Sequence, residues 1–182
     1  MSEENVARYR VPPVRQPSRR TPLDRAGLRL PKVARLIREA VIRLPTRSRL
    51  RQAIFARSIR DNAEAYNRRD YDVFALPFHP GVLIETRDAF PEETVYQGPD
   101  GLARFMAMID GVWSDYRIEP ELVIDLGERY VLVARHRGRG RGSGVDVDHR
   151  LGLVATLDDG VVVRLHFYWS PDEALQAVGL RE

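Results

Sequence analysis

The sequence predicts an α+β domain in which helices pack on the concave face of a strongly curved, mostly antiparallel sheet. Three observations predict it. Apolar residues recur at helical spacing over residues 32–76 and again over 99–113. The period then becomes strand-like, and four β-rich segments follow one another with short turns between them. A single capped helix, "SPDEALQAVGL", ends the chain. Helices, a strand, a helix and then a meander is the order expected of one sheet with helices layered on it.

The elements follow in order. Residues 1–31 are rich in Pro and Arg and carry no periodic apolar pattern, so a basic arm, extended or disordered, is expected. Residues 32–52 form a basic amphipathic extension. Val33, Leu36, Ile37, Ala40, Val41 and Leu44 recur at helical spacing between Pro31, which can open a helix, and Pro45, which closes it. The main domain then spans 53–182. A helix over about Ser48–Arg69, capped by Thr46 or Ser48, carries the stripe Leu50, Ile54, Phe55, Ile59, Ala63 and Tyr66. "DYDVFALPFHP" reads as a short helix capped by Asp70 or Asp72 and stopped near Pro77. "GVLIETR" is a strand, and "FPEETVYQG" is a loop into a second short one. "PDGLARFMAMIDGVW" places Leu102, Phe105, Met106, Ile109 and Trp113 on one helical face. "YRIEPELVIDL", "RYVLVARHRG", "VDVDHRLGLVATL" and "VVVRLHFYW" are the meander.

The tract "RHRGRGRGSGVDVDHR" invites a nucleic-acid reading, and charge argues against it. Residues 1–52 hold fourteen basic and four acidic side chains, net +10, whereas residues 53–182 hold fifteen and twenty-two, net −7. The domain carrying the tract is acidic and repels phosphate. No aromatics interleave the glycines as a single-strand binder needs. A hairpin explains the same residues: Gly142, Ser143 and Gly144 offer the positive φ of the turn, and arginines on one strand face Asp146 and Asp148 on the other.

Composition bounds the rest. A chain of 182 residues with 43% hydrophobic content can bury one ordinary core. Cysteine is absent, which removes disulfides, thiolate nucleophiles and cysteine metal sites. Glu3 and Glu4 precede no apolar h-region and no apolar run spans a bilayer, so a cytoplasmic protein is expected. The four histidines (His79, His136, His149, His166) lack close metal-ligand spacing, and there is no phosphate loop or nucleophile elbow. No metal or other cofactor is expected.

"AYNRRDYDVF", "FHPGVLIE", "YQGPDGLARFM", "RGRGSGVDVDHR", "DDGVVVRLHFYWSPDEAL" and "AVGL" together resemble the nuclear transport factor 2-like fold, and within it the SnoaL-like group of polyketide cyclase and ketosteroid isomerase relatives. The resemblance covers roughly residues 53–180. It implies a cone whose bent sheet and helices enclose one apolar pocket, a small hydrophobic ligand, and a homodimer through the outer sheet face. The isomerase machinery does not carry over. Its carboxylate base falls on Thr86, its oxyanion tyrosine near Asn62 and its oxyanion aspartate near Gly152, and none of the three residue types matches. A one-residue bulge would be needed to bring Glu85 inward instead.

The cyclase and hydrolase members use Asp, His, Arg or Tyr in the same cavity, which here points to the strands flanking the hairpin. His136 and Asp148 are the catalytic candidates, a carboxylate-oriented general base if the register sets them opposite each other; a one-residue slip sends one of them outward. A surface charge pair is the competing reading. Tyr66, Thr86, Trp113, Tyr130, Leu132 and Trp169 are the ligand-binding candidates, against plain core packing. His166 is expected on the outer sheet face and His79 in a structural turn.

Two classes of function follow. One is a small-molecule-pocket protein, a cofactor-independent acid–base enzyme of cyclase, isomerase or hydrolase type. The other is a non-catalytic ligand-binding or assembly domain whose basic arm meets a membrane surface, a nucleic acid or an acidic partner; specific nucleic-acid recognition is not expected. The arm's apolar stripe could equally close the cone, drawn by +10 against −7.

Overall fold

A computed structural model describes residues 6–15, 19–89 and 95–180. The elements are β1 (Ala7–Arg10), α1 (Pro22–Arg29), α2 (Pro31–Ile42), α3 (Arg49–Asn67), α4 (Tyr71–Ala75), β2 (Phe78–Asp88), β3 (Val95–Gln97), α5 (Gly98–Val112), β4 (Trp113–Asp125), β5 (Arg129–Gly140), β6 (Asp146–Asp158), β7 (Val161–Tyr168) and α6 (Pro171–Ala177). One open seven-stranded sheet runs β1-β4-β5-β6-β7-β2-β3. Every pairing is antiparallel except β2 with β7. This is the α+β, nuclear transport factor 2-like architecture.

The concave face holds the main core. Tyr66 of α3 and Leu102, Phe105 and Ile109 of α5 meet Ile84, Leu132, Ala155, Leu165 and Phe167 of the sheet. The last helix departs from the expected layering. α6 lies on the outer face, where Ala174, Leu175 and Val178 pack with Ile124 and Val131. Gly152 makes that approach possible, because a Cβ there would stand 2.5 Å from the Ala174 Cβ and 2.8 Å from the Ser170 carbonyl.

The hairpin forms where the sequence places it. Arg139 faces Asp146 and Arg137 faces Asp148. Of the three turn residues only Gly144 has a positive φ, +66°.

Residues 6–15 and 19–31 are more ordered than their composition suggests. β1 extends the sheet edge along β4, and α1 begins with a capping box between Thr21 and Asp24. Ion pairs hold this stretch to the body beside a few apolar contacts, Tyr9, Val11 and Leu28 against the main core. Arg15 grips Glu64 through Nε and Nη2, each at 3.0 Å. Arg20 bridges Asp70 and Asp72 at 2.8 and 2.9 Å, and Arg68 reaches Asp24 at 2.8 Å. Hydropathy periodicity cannot register such contacts.

α2 crosses the open side of the curved sheet. Its backbone sits so close to the β6–β7 turn that a Cβ on Gly160 would meet Arg38 and Glu39 main-chain atoms at 2.6 Å. Its C-terminal end is fastened by Arg51. Ser48 caps α3, and one turn in, Arg51 is almost fully buried and uses all five N–H donors. Nε and Nη2 take the two Asp125 oxygens at 2.7 Å, Nη2 also reaches the Gly127 carbonyl at 2.8 Å, and Nη1 donates to the carbonyls of Leu44 (2.8 Å) and Ile42. Asp125 accepts in addition from the Gly127 N–H at 3.0 Å.

Arg51→Met strands the buried Asp125 carboxylate, and such uncompensated charges cost about 3–5 kcal/mol. Urea unfolding should register that loss, and the double variant Arg51→Met/Asp125→Leu should recover much of it. Equal losses in the single and double variants would contradict this account of the pair.

Candidate functional site

Between α2, α3, α5 and the concave face lies a cavity of about 190 Å³. Ile42, Phe55, Ile59, Phe105, Leu153 and Leu165 make most of its wall apolar, and no Asp or Glu is among the described residues lining it. Sites for drug-sized ligands are commonly ~300–1,000 Å³, while a dry apolar cavity of ~150 Å³ holds benzene. The space suits a compact one- or two-ring molecule.

Polar groups gather at one pole. Tyr116 Oη lies 2.7 Å from His136 Nδ1. The Tyr66 ring stands against Tyr116 with centroids 6.2 Å apart. Tyr66, Tyr116 and His136 all line the cavity. Tyr66 Oη and His136 Nε2 are buried and have no hydrogen-bond partner among the described residues. Buried polar atoms nearly always find partners, so two orphans on one apolar cavity mark a place where a ligand oxygen fits. Of the other polar lining groups, Asn62 Nδ2 donates to the Phe74 carbonyl at 2.8 Å and Ser58 Oγ to the Ile54 carbonyl at 2.9 Å, while Arg38 donates through Nη2 to the Leu76 carbonyl at 3.1 Å and keeps a buried Nε without a partner among the described residues.

Electrostatics set the protonation states. Burial, with His149 adding a lesser push, lowers His136 to about pKa 3, so its ring is neutral at ordinary pH. Burial raises Tyr66 and Tyr116 well above the usual phenol range, so both stay protonated. Among the described residues His136 Nδ1 is the hydrogen-bond partner of the protonated Tyr116 hydroxyl, so satisfying that O–H makes Nδ1 the acceptor and puts the neutral imidazole's proton on Nε2. The pole then presents two donors, Tyr66 O–H and His136 Nε2–H.

The register differs from the one a His136–Asp148 dyad requires. His136 faces His149, and Asp148 faces Arg137. Alternation then puts Asp148 on the outer face, where it pairs with Arg137 at 3.1 Å and Arg135 at 3.5 Å. Of the ligand-binding candidates, Tyr66, Tyr130 and Leu132 line the cavity. Thr86 is buried but outside the lining. Trp113 opens β4 and packs on Tyr116, centroids 6.1 Å apart. Trp169 is 54% exposed and stacks on His149 at 4.4 Å. Glu85 points outward to Arg164 at 2.8 Å, and His166 lies beside it on that face at 3.7 Å. His79, expected in a turn, instead lies at the start of β2, where its Nδ1 accepts from the Gly81 N–H.

Sequence reasoning missed Tyr116 and the α2 wall. A register shift interrupts β4 between Ser114 and Arg117, with Asp115 at φ +55°. The bulge brings Trp113 and Tyr116 to the same side. Gly138 leaves room for them, since a Cβ there would meet Tyr116 at 3.0 Å and Trp113 at 3.4 Å. The available signal was Gly138 two residues from His136; a bulge has no periodicity to read.

The SnoaL-like domain model matches residues 59–165, more than half of the chain, and the chain belongs to that family. Among solved structures it is similar to a nuclear transport factor 2-like protein of unknown function from Burkholderia pseudomallei, at 20% identity over 65% of this chain and 92% of that one, with a TM-score of 0.56. TerC, co-crystallised with polyporic acid, is 19% identical over 62% of this chain and 88% of its own, with a TM-score of 0.55. The epoxide hydrolase/cyclase-like enzyme SalBIII, of pyran ring formation in the polyether salinomycin, is 15% identical over 62% and 88%, with a TM-score of 0.52. At these identities the likeness is one of fold. No curated protein compared matches the chain.

A histidine held neutral by folding ties stability to pH. The unfolded imidazole protonates near pH 6.5 and the folded one only near 3, so unfolding takes up a proton between those values and stability falls as pH drops through that window. The wild type should lose stability relative to His136→Gln by about 1.4 kcal/mol per pH unit between roughly pH 6 and 4. Urea unfolding of both chains across that range checks it, and parallel pH profiles would contradict it.

Proposed function

We propose that this SnoaL-like protein binds a compact hydrophobic molecule through one oxygen and acts on it as a cofactor-independent acid–base enzyme of cyclase, isomerase or hydrolase type. The observation that carries the reading is the pair of orphaned donors beside Tyr116, Tyr66 Oη and His136 Nε2, on a mostly apolar cavity. Preorganised donors in a dry site favour the state in which negative charge builds on the oxygen they hold. That suits an epoxide opened by the substrate's own hydroxyl, the proton lost there being matched by one gained at the new alkoxide.

His136 acts here as an electrophile. The burial that keeps it neutral also makes it a poor proton acceptor, and the Tyr116 hydrogen bond fixes which nitrogen meets the substrate. SalBIII, with its epoxide hydrolase/cyclase-like chemistry, gives the reading a precedent on this fold.

A second reading is a non-catalytic ligand-binding domain. The cavity favours it in one respect, the lack of a carboxylate among its described lining residues to take a substrate proton.

Calorimetry with one- and two-ring ketones, phenols and quinones separates these from an empty core. Tyr66→Phe should weaken binding about fivefold to tenfold, the worth of one hydrogen bond at ~1–1.5 kcal/mol. Leu132→Trp should abolish binding by filling the space. For catalysis, a hydroxy-epoxide of the same size should close to a cyclic ether in the presence of the wild type, and His136→Gln should lose that rate while keeping most of the affinity. Ligand binding with unchanged rates in both chains would favour the second reading. No binding by any of the panel would contradict both.

A further inference from the structure

α2 has two apolar faces. Arg38, Val41 and Ile42 look into the cavity. Val33, Leu36, Ile37 and Ala40 form a second row at i, i+3, i+4 and i+7 on the solvent side, with Val33 47%, Leu36 63% and Ile37 57% exposed. Leu30 before the helix and Leu50 beyond it are also exposed. Among the described residues nothing covers this row.

Charge identifies what would. Arg25, Arg29 and Lys32 surround the N-terminal end of α2, and Arg47 and Arg49 follow its C-terminal end. All five are exposed, and none has a carboxylate within ion-pair distance among the described residues. The nearby acids are already engaged: Glu39 with Arg43, Asp159 with Arg35, and Asp24 with Arg68. A second copy of the chain seated on this face would bring like charges together. A neutral apolar surface would leave the cations unused. An anionic bilayer surface satisfies both features, with apolar side chains entering the acyl boundary and cations meeting lipid phosphates.

We infer that the outer face of α2 docks on anionic membrane surfaces. Because Ile37 belongs to both faces, docking sets the roof of the cavity against the lipid; that consequence rests on the pocket reading above, while docking itself does not. The chain then lies on the bilayer without crossing it, and no described helix is long and apolar enough to cross one.

The test is co-sedimentation of the full chain with vesicles of phosphatidylcholine and phosphatidylglycerol in equal parts, and with phosphatidylcholine alone. Binding is expected on the mixed vesicles at low salt, roughly tenfold or more weaker on the neutral ones and largely reversed by high salt. Val33→Glu/Leu36→Glu should reduce binding to the mixed vesicles roughly tenfold or more, with ligand binding in solution unchanged. Arg29→Glu/Lys32→Glu should weaken it without touching the apolar row, and carries the test should the first variant fail to fold. A wild type left in the supernatant with anionic vesicles at low salt overturns the inference. So does binding that neither variant alters. Concentration-dependent dimerisation that Val33→Glu/Leu36→Glu abolishes, with no vesicle binding, would assign the face to a second copy instead.

Discussion

The structure turns on a guanidinium buried where two successive helices meet a sheet turn far along the chain. Arg51 joins its own helix, the end of α2 and the β4–β5 turn through one side chain with every donor used. A lysine could not do this, because a point charge on three donors cannot hold a carboxylate with two parallel bonds and reach three carbonyls besides. Besides the pair, α2 is held by its close approach to the Gly160 turn, by Arg38's bond to the Leu76 carbonyl at 3.1 Å, by the Arg35–Asp159 pair at 3.9 Å and by Ile42 against the core. The helix that roofs the cavity is thus held at its C-terminal end by a charge pair and elsewhere by slight packing. That is an economical way to place an exposed amphipathic helix over a hollow.

The hollow itself follows from strand geometry and small residues. The β4 bulge turns Tyr116 toward β5, the missing Cβ of Gly138 leaves room for it, and its hydroxyl meets His136 Nδ1. The dry surroundings that suit an apolar guest also decide the chemistry at the pole, since they keep imidazole and phenols uncharged. Donors, rather than a charged base, are what such an environment can maintain. On the other side of the same strands, Arg135, Arg137 and Arg150 interleave with Glu119, Glu121 and Asp148. One ladder therefore presents a neutral face inward and a charged lattice outward.

Much of the fold was legible because periodicity and turn chemistry agree along the main domain. The expected helix over about Ser48–Arg69 matches α3 with its Ser48 cap, and the glycine tract matches the β5–β6 turn. The site was legible only in part. Tyr66, Tyr130, Leu132 and His136 were found because they alternate or recur with core residues. The Asp148 partnership was not, because register is decided by a turn of a few residues, and one step exchanges inner face for outer. Tyr116 escaped through a bulge. β1 and α1 escaped because edge hydrogen bonds, the ion pairs of flanking arginines and a few scattered apolar contacts hold them, and these leave no hydropathic period.

The central claim is that His136 is a neutral donor awaiting an oxygen inside an apolar cavity. Nitrogen-15 spectra of its side chain test that most directly. In the free protein at pH 5 they should report a neutral ring protonated on Nε2, and adding a cyclic ketone or phenol that binds should move the Nε2 resonance more than the Nδ1 one. An imidazolium signal at pH 5, or an Nε2 resonance unmoved by a ligand that demonstrably binds, would contradict the account.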